Sequence, residues 1–347
     1  MKKTVALIFG GEGKEHDVSE ASAQNLASLI DTDTYNLIPV GITRDGRWYI
    51  YEGPLTEIKG GAWQNDISSL KKTYPAKLGK LSGLLSDGGI IPVDCAIPCL
   101  HGDFGEDGII QASLTAAHIK YIGQDIYSSV FTSDKAYTKL AAEYLEIPTA
   151  RWMLLTESSP KKAKSEAERN IKFPMFLKPT RLGSSYGAHP VYSDCDFENA
   201  YTDAYSYEGR VLIEELIPVK YELECAFLES DGILLAPYGK ITTGGAFYGY
   251  DEKYKAKNSI TAEVSYEDIA QNIKNRVLNY SERLVSFLGL KHLSRIDFFI
   301  TEAEDVYFNE INAFPGMTDT SLYPKLTEAM GLRRGDFINL LIKDVCV

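Results

Sequence analysis

The chain has 347 residues, 44% apolar and 24% charged, which suits two or three packed domains and excludes a disordered chain. Thirty-six Lys and Arg against 48 Asp and Glu leave a net charge of −12, so neither nucleic acid nor an anionic membrane is an expected partner. No apolar run approaches the roughly 18–20 residues of a membrane helix, and five scattered cysteines without a Cys-x-x-Cys read as free thiols of a reducing cytosol, with no zinc cluster.

The opening, MKKTVALIFGGEGKE, has too short an apolar stretch for a secretion signal. Residues 4–9 predict a buried strand, 10–13 a glycine-rich turn, and 19–29 a helix with Ser19 as N-cap. A dinucleotide fingerprint fails because its third glycine would fall on His16. A Walker A loop fails because Glu15 follows Gly13-Lys14 and Ile8 stands where the first Gly belongs. What remains is a helix start carrying Glu15, His16 and Asp17. These acids either receive a substrate ammonium or complement the helix dipole. Further strands are predicted at 35–43 and 91–100; alternation with helices implies an α/β layer with a parallel sheet.

A second unit is predicted to begin near Asp125. Residues 157–170 read as a solvated helix or loop. FLKPTRLGSSYG (176–187) is a strand carrying Lys178 and then a Gly/Ser loop, which suits a phosphate cover; Lys135 is a second candidate cation. VLIEE (211–215), with Glu222 beyond, reads as a strand edge able to pair with adenine while a carboxylate holds ribose hydroxyls. TTGGAFYGYDEKYK (242–255) has the composition of a mobile lid bearing Lys253 and Tyr254. An amphipathic helix is expected over 266–288.

SRIDFFI (294–300) and VYFNEIN (306–312) predict a hairpin. Alternation puts Arg295 and Asp297 on one face, Glu310 and Asn312 on the facing one, and Ile296, Phe298, Tyr307 and Ile311 opposite. This polar patch is either a solvent-facing sheet surface or an all-oxygen site for a hard cation, Mg²⁺ rather than Zn²⁺. AFPGMTDTS (313–321) follows with backbone N–H groups suited to an oxyanion.

Taken in order, HGDFGEDGIIQA (101–112), the lysine with its GSS loop, the EKY lid and RID…NEINAFPG resemble D-alanine–D-alanine ligases, peptidoglycan-precursor enzymes of the ATP-grasp superfamily. The resemblance runs from 10–19 to SLYP (321–324). It implies α/β and α+β layers in a three-domain ATP-grasp architecture. The expected units are an N-terminal parallel-sheet domain (1–124) binding the first substrate, a central subdomain (125–210), and a C-terminal subdomain (211–347). It further implies ATP with Lys135 and Lys178 at its phosphates or adenine, Lys253 in the phosphate shell, Glu214, Glu215, Leu216 and Ile217 along the adenine, and Glu222 at the ribose. Asp297, Glu310 and Asn312 would hold two Mg²⁺ or Mn²⁺ ions. Glu15 would bind the ammonium of the first D-alanine and His101 lie near its carboxylate. Ser184 and Tyr254 would join Glu15 in a clasp, Ser321 and Leu322 would seat the second amino acid, and Arg295 with the Gly316 N–H would form an oxyanion hole.

Ala313 replaces the family's usual Ser or Thr, and Thr320 a frequent His. Tyr254 favours an amino acid over D-lactate as acceptor, and Leu322 favours D-alanine over D-serine. A D-alanine–D-serine ligase and a non-catalytic ATP-binding regulator remain alternatives. The resemblance also suggests a cytoplasmic homodimer.

Overall fold

The structure is a computed structural model that describes residues 2–230, 232–243, 260–265 and 267–346; the lid segment with Lys253 and Tyr254 lies outside the described residues. The chain opens with β1 (Lys3–Gly10), α1 (His16–Leu29), β2 (Tyr35–Ile42), β3 (Trp48–Tyr51), β4 (Leu70–Lys72), β5 (Tyr74–Leu78), β6 (Leu81–Ser86), β7 (Gly89–Pro92), β8 (Cys95–Pro98) and α2 (Ile109–Ala116). The first sheet runs β4-β3-β2-β1-β8, with β1 parallel to β2 and β8. Both faces of β1 are covered: Val5, Leu7 and Phe9 pack with Leu26 of α1, Ala6 and Ile8 with Leu114 of α2. Burial on two sides explains why β1 reads as an unbroken apolar run.

Two expectations need correction here. The helix begins at His16, so Ser19 lies inside it. Its Oγ accepts the Gly10 N–H at 2.9 Å and donates to the Cys99 carbonyl at 2.5 Å, tying the ends of β1 and β8 together. The strand expected over 91–100 is two strands: β7 belongs to a separate antiparallel sheet, β5-β6-β7, and β8 to the parallel one. Asp94, between them, accepts the Thr4 N–H at 2.8 Å and an ion pair from Lys3 at 3.0 Å.

Next come α3 (Ile126–Ser133), α4 (Lys135–Tyr144), β9 (Trp152–Leu155), α5 (Pro160–Asn170), β10 (Met175–Pro179), β11 (His189–Val191), α6 (Asp194–Glu208) and β12 (Val211–Glu215). Their antiparallel sheet is ordered β11-β10-β12-β9 and buries Met175, Leu177 and Ile213 against Phe197 and Tyr201 of α6. β12 is therefore an interior strand, not the edge expected from sequence. The segment beyond it, 216–218, leaves the strand, and the Leu216 N–H there meets the Pro174 carbonyl at 3.1 Å.

The last sheet, β15-β14-β13-β16-β17, joins β13 (Val219–Glu229), β14 (Ile233–Thr243), β15 (Ile260–Val264), β16 (Leu293–Thr301) and β17 (Val306–Asn312). The helix expected over 266–288 is α7 (Gln271–Leu288); its Ile273, Val277 and Leu284 cover Leu223, Phe227, Ile296 and Phe298 of this sheet. Each such large apolar side chain contributes about 1.5–3 kcal/mol on burial. α8 (Leu322–Ala329) and α9 (Asp336–Val345) close the chain. Phe337 and Leu341 of α9 pack in one core with Val5 and Leu26, so the C-terminal helices fasten the last sheet to the first.

Candidate active site

The predicted hairpin forms, and its register gathers the four polar residues. Arg295 stands opposite Asn312, and Asp297 opposite Glu310. The ladder then shifts by one, pairing Phe298 with Phe308 and leaving Asn309 as the extra residue of a β-bulge. This corrects one expectation: Phe308, not Tyr307, joins Ile296, Phe298 and Ile311 in the core. Tyr307 instead faces Phe299 on the polar side.

On that face Arg295 grips Asp297 with two parallel bonds, Nε to Oδ1 and Nη2 to Oδ2, both 2.7 Å. Glu224 from β13 lies 3.3 Å from Nε. Burial opposes the guanidinium charge, but Asp297 and Glu224 outweigh it and hold Arg295 well above its ordinary pKa. Asn312 donates to Asp297 Oδ2 at 2.9 Å. Lys135 reaches Glu310 at 3.3 Å and donates to the Leu182 carbonyl at 2.8 Å. Burial lowers and Glu310 raises its affinity for a proton, and the net direction is up.

The facing wall is the β10–β12 pair. Glu214 of β12 sits between Lys178 (2.7 Å) and Lys139 (2.5 Å), all three essentially buried. Burial would raise the Glu214 pKa, yet the two lysines hold it below the ordinary range. Burial holds Lys139 low despite that partner. Lys178 also reaches across to the bulged Asn309, at 3.3 Å. Lys135, Lys178, Glu222, Arg295, Asp297 and Glu310 line one cleft of about 340 Å³, along with Glu214 to Ile217.

The glycine-rich turn supplies the third element. Glu15 occupies the N-cap position of α1 without capping it; its carboxylate instead accepts from the Ser184 hydroxyl. Gly102 has φ +64, a backbone conformation that favours glycine, and a Cβ there would come 2.4 Å from Glu15 Oε2 and push that carboxylate aside. Ser184 and Ser185 hold φ of +49 and +58, a conformation that bends the Gly/Ser loop over Glu15 at some cost. His101 is buried with Nε2 3.0 Å from Ser22 Oγ and Nδ1 3.2 Å from the Phe314 carbonyl. Gly316 lies against Ser321, whose Oγ meets Thr318 Oγ1 at 2.7 Å, and Leu322 is buried in the core.

The expected residues thus fall into linked groups: Glu15 with Ser184, Lys178 with Glu214, Arg295 with Asp297 and Asn312, Lys135 with Glu310, and Gly316 with Ser321. Lys139, Glu224, Glu106 and Ser22 were missed. Lys139 follows Lys135 by one helical turn and Glu224 shares a strand face with Glu222, so periodicity could have found both. Glu106 accepts the Gly102 N–H (2.8 Å) and the Phe314 N–H (3.1 Å). Its burial, then the nearby Glu15 charge, push its pKa up to about 7.

The hairpin's donors are carboxylate and amide oxygens, without His or Cys, so they fit magnesium or manganese. A flip of the Asn312 amide would offer its oxygen. Among the described residues no helix is long and apolar enough to cross a membrane.

Two family models match the chain: "D-ala D-ala ligase N-terminus" over residues 4–124 and "D-ala D-ala ligase C-terminus" over 142–343. A curated D-alanine--D-alanine ligase of Ruminiclostridium cellulolyticum is 32% identical, covering 99% of this chain and 95% of its own. One from Chlorobium phaeovibrioides is 36% identical, covering 98% and 96%. Among solved structures, the VanG D-Ala:D-Ser ligase of Enterococcus faecalis superposes with TM-score 0.89 at 30% identity over 100% of both chains. D-alanyl-alanine synthetase A of Vibrio cholerae gives 0.84 at 30% identity over 99% and 98%.

Proposed function

The chain belongs to the D-alanine–D-alanine ligase family, and from that premise we propose how its residues perform an ATP-dependent ligation of two D-alanines for peptidoglycan synthesis. The architecture is ATP-grasp. We divide it as 1–124, 125–210 and 211–347. The reading is carried by one observation: a cleft with a lysine-bearing wall facing a wall that gathers Arg295, Asp297, Glu310 and Asn312.

In this reading Glu215, Leu216 and Ile217 flank the adenine, with Glu214 behind them, and Glu222 takes the ribose. Lys135 and Lys178, with Lys253, neutralise phosphate oxygens. Asp297, Glu310 and Asn312 would hold two Mg²⁺ or Mn²⁺ ions, which supply charge neutralisation of the phosphates when bound. Glu15 receives the ammonium of the first D-alanine, and His101 stands on the carboxylate side. That carboxylate attacks the γ-phosphorus, giving an acyl phosphate and ADP, because a carboxylate otherwise has no competent leaving group. The amine of the second D-alanine, seated by Ser321 and Leu322, attacks the acyl carbon. The resulting oxyanion meets Arg295 and the Gly316 N–H, and phosphate departs. Ser184 and Tyr254 with Glu15 close the site against water.

Phosphate release by the purified protein should require added D-alanine; release indifferent to D-alanine would sink the reading. A second reading, D-serine as the second substrate, draws support from the likeness to the VanG D-Ala:D-Ser ligase. Leu322 argues against it, since D-serine-forming relatives tend to carry Arg there, and a hydrophobic seat discriminates only modestly against an added hydroxyl. An equimolar competition of D-alanine with D-serine, read by product mass, decides between them. We also propose a cytoplasmic homodimer. Tyr127, Phe131, Leu140 and Tyr144 expose apolar surface on α3 and α4, which a second copy could cover. A monomer mass in solution at micromolar concentration would end that part.

A further inference from the structure

The turn 313–317 carries the Gly316 N–H, yet it has little of its own to hold it. Pro315 has no N–H to give, and Gly316 lacks a side chain. The residues that flank the Pro315-Gly316 pair, Phe314 and Met317, are held from another part of the molecule. The Phe314 N–H donates to Glu106 Oε1 at 3.1 Å, and the Phe314 carbonyl faces His101 Nδ1 at 3.2 Å. The Met317 N–H donates to Ser22 Oγ at 3.2 Å, and the Met317 carbonyl accepts from Asn25 Nδ2 at 2.7 Å. Ser22 and His101 close the circuit at 3.0 Å.

The proton order is fixed by chemistry. A carbonyl only accepts, so His101 Nδ1 carries the hydrogen. Nε2 then accepts from the Ser22 hydroxyl, whose oxygen in turn accepts from Met317. Every bond of the circuit is satisfied with a neutral imidazole, and burial does hold His101 below its ordinary pKa. Ser22 is fully buried, Met317 is fully buried, and Phe314 nearly so, so water does not substitute for these bonds.

We infer that Ser22, Asn25, His101 and Glu106 are positioning residues that clamp the turn from the N-terminal unit and so aim the Gly316 N–H at the oxyanion oxygen that develops on the reacting acyl group. The inference rests on the reading of Gly316 as an oxyanion donor. It gives Ser22 and Asn25, helix residues with no part in binding ATP, a defined effect on one chemical step. Displacement of such a donor by about 1 Å costs on the order of a hundredfold in rate.

The test uses the full-length Ser22→Ala, Ser22→Thr and Asn25→Ala proteins, with Arg295→Lys in parallel. Two rates are measured: dipeptide formation, and D-alanine-dependent positional isotope exchange in γ-¹⁸O-labelled ATP, which reports acyl phosphate formation by itself. Ser22→Ala should lower the kcat for dipeptide by roughly tenfold to a hundredfold, with the KM for ATP and the exchange rate within about twofold, and Ser22→Thr should recover most of the loss. Asn25→Ala should give the same split to a smaller degree, and it carries the test if Ser22→Ala does not fold. Unchanged kcat, or loss of exchange in step with ligation, overturns the clamp. If Arg295→Lys also ligates at full rate, the oxyanion reading itself has failed; if Arg295→Lys is impaired while both clamp variants are not, only the clamp has.

Discussion

The two walls of the cleft use the same residue types to opposite ends. On the β10–β12 wall, Lys139 and Lys178 enclose Glu214, two cations against one anion, and the set is almost wholly buried. On the β16–β17 wall, Asp297 and Glu310, with Glu224 of β13, meet Arg295 and Lys135 of α4, three anions against two cations, and this set lines the same cavity. Within these two sets the first has one cation in excess and the second one anion, while Glu215 and Glu222 add carboxylates to the rim of the same cleft. A polyphosphate with divalent cations matches that polarity, with phosphates toward the first wall and metal toward the second. The lesson is that a binding cleft of this kind is built from incomplete pairing: each wall keeps its charges fixed by partners but declines to cancel them.

The contrast between the walls depends most on Arg295. Arg295→Ala removes the proposed oxyanion partner and should cut turnover by roughly two to three orders of magnitude. Steady-state phosphate release that falls by less than a factor of ten would mean that Arg295 serves only to hold Asp297. Glu214→Gln strikes the other wall: it leaves two buried lysines without a counter-charge, which should cost about 3 kcal/mol of folding stability. Urea unfolding checks this, and a midpoint equal to the parent's would mean that the lysines reach water. Asp297→Asn should shift the magnesium concentration for half-maximal rate upward by at least about tenfold. A metal titration with an unmoved midpoint would remove Asp297 from the ligand set.

The smallest expected effect concerns Glu106, which joins the Gly102 and Phe314 N–H groups close to the Glu15 charge. Its pKa rises from 4.5 to about 7 on folding. The folded state therefore holds this proton more tightly than the unfolded chain, and stability declines as pH climbs through that window. Glu106→Gln removes the titration, so its melting temperature should fall less than the parent's between about pH 4.5 and 7, by a few degrees. Parallel curves for the two proteins would contradict the assignment.

Much of this was legible because it depends on short-range periodicity. The two-residue repeat alone places Arg295 with Asp297, and Glu310 with Asn312. The run at 4–9 marked a strand covered on both faces. Other features were hidden because nothing local encodes them. The bulge at Asn309 changes the phase of the alternation, which misplaced Tyr307. Ser19 looks like a cap in sequence and becomes a tie between two strands only once Cys99 is beside it. The apolar stretch 91–100 spans two sheets because Asp94 bonds to Thr4, 90 residues away. Ser22 carries no signal at all, since its partners lie 79 and 295 residues distant.

The extra residue in β17 has a reach beyond its own hairpin. Asn309 is owed nothing by the ladder, since Phe308 and Glu310 already answer Phe298 and Asp297, and its side chain spans the opening to Lys178. Removing that single codon would leave every cross-strand partnership intact and still sever a tie between the two sheets. The spacing between the two sheets would then be adjustable from the hairpin side, with Lys178 still held by Glu214.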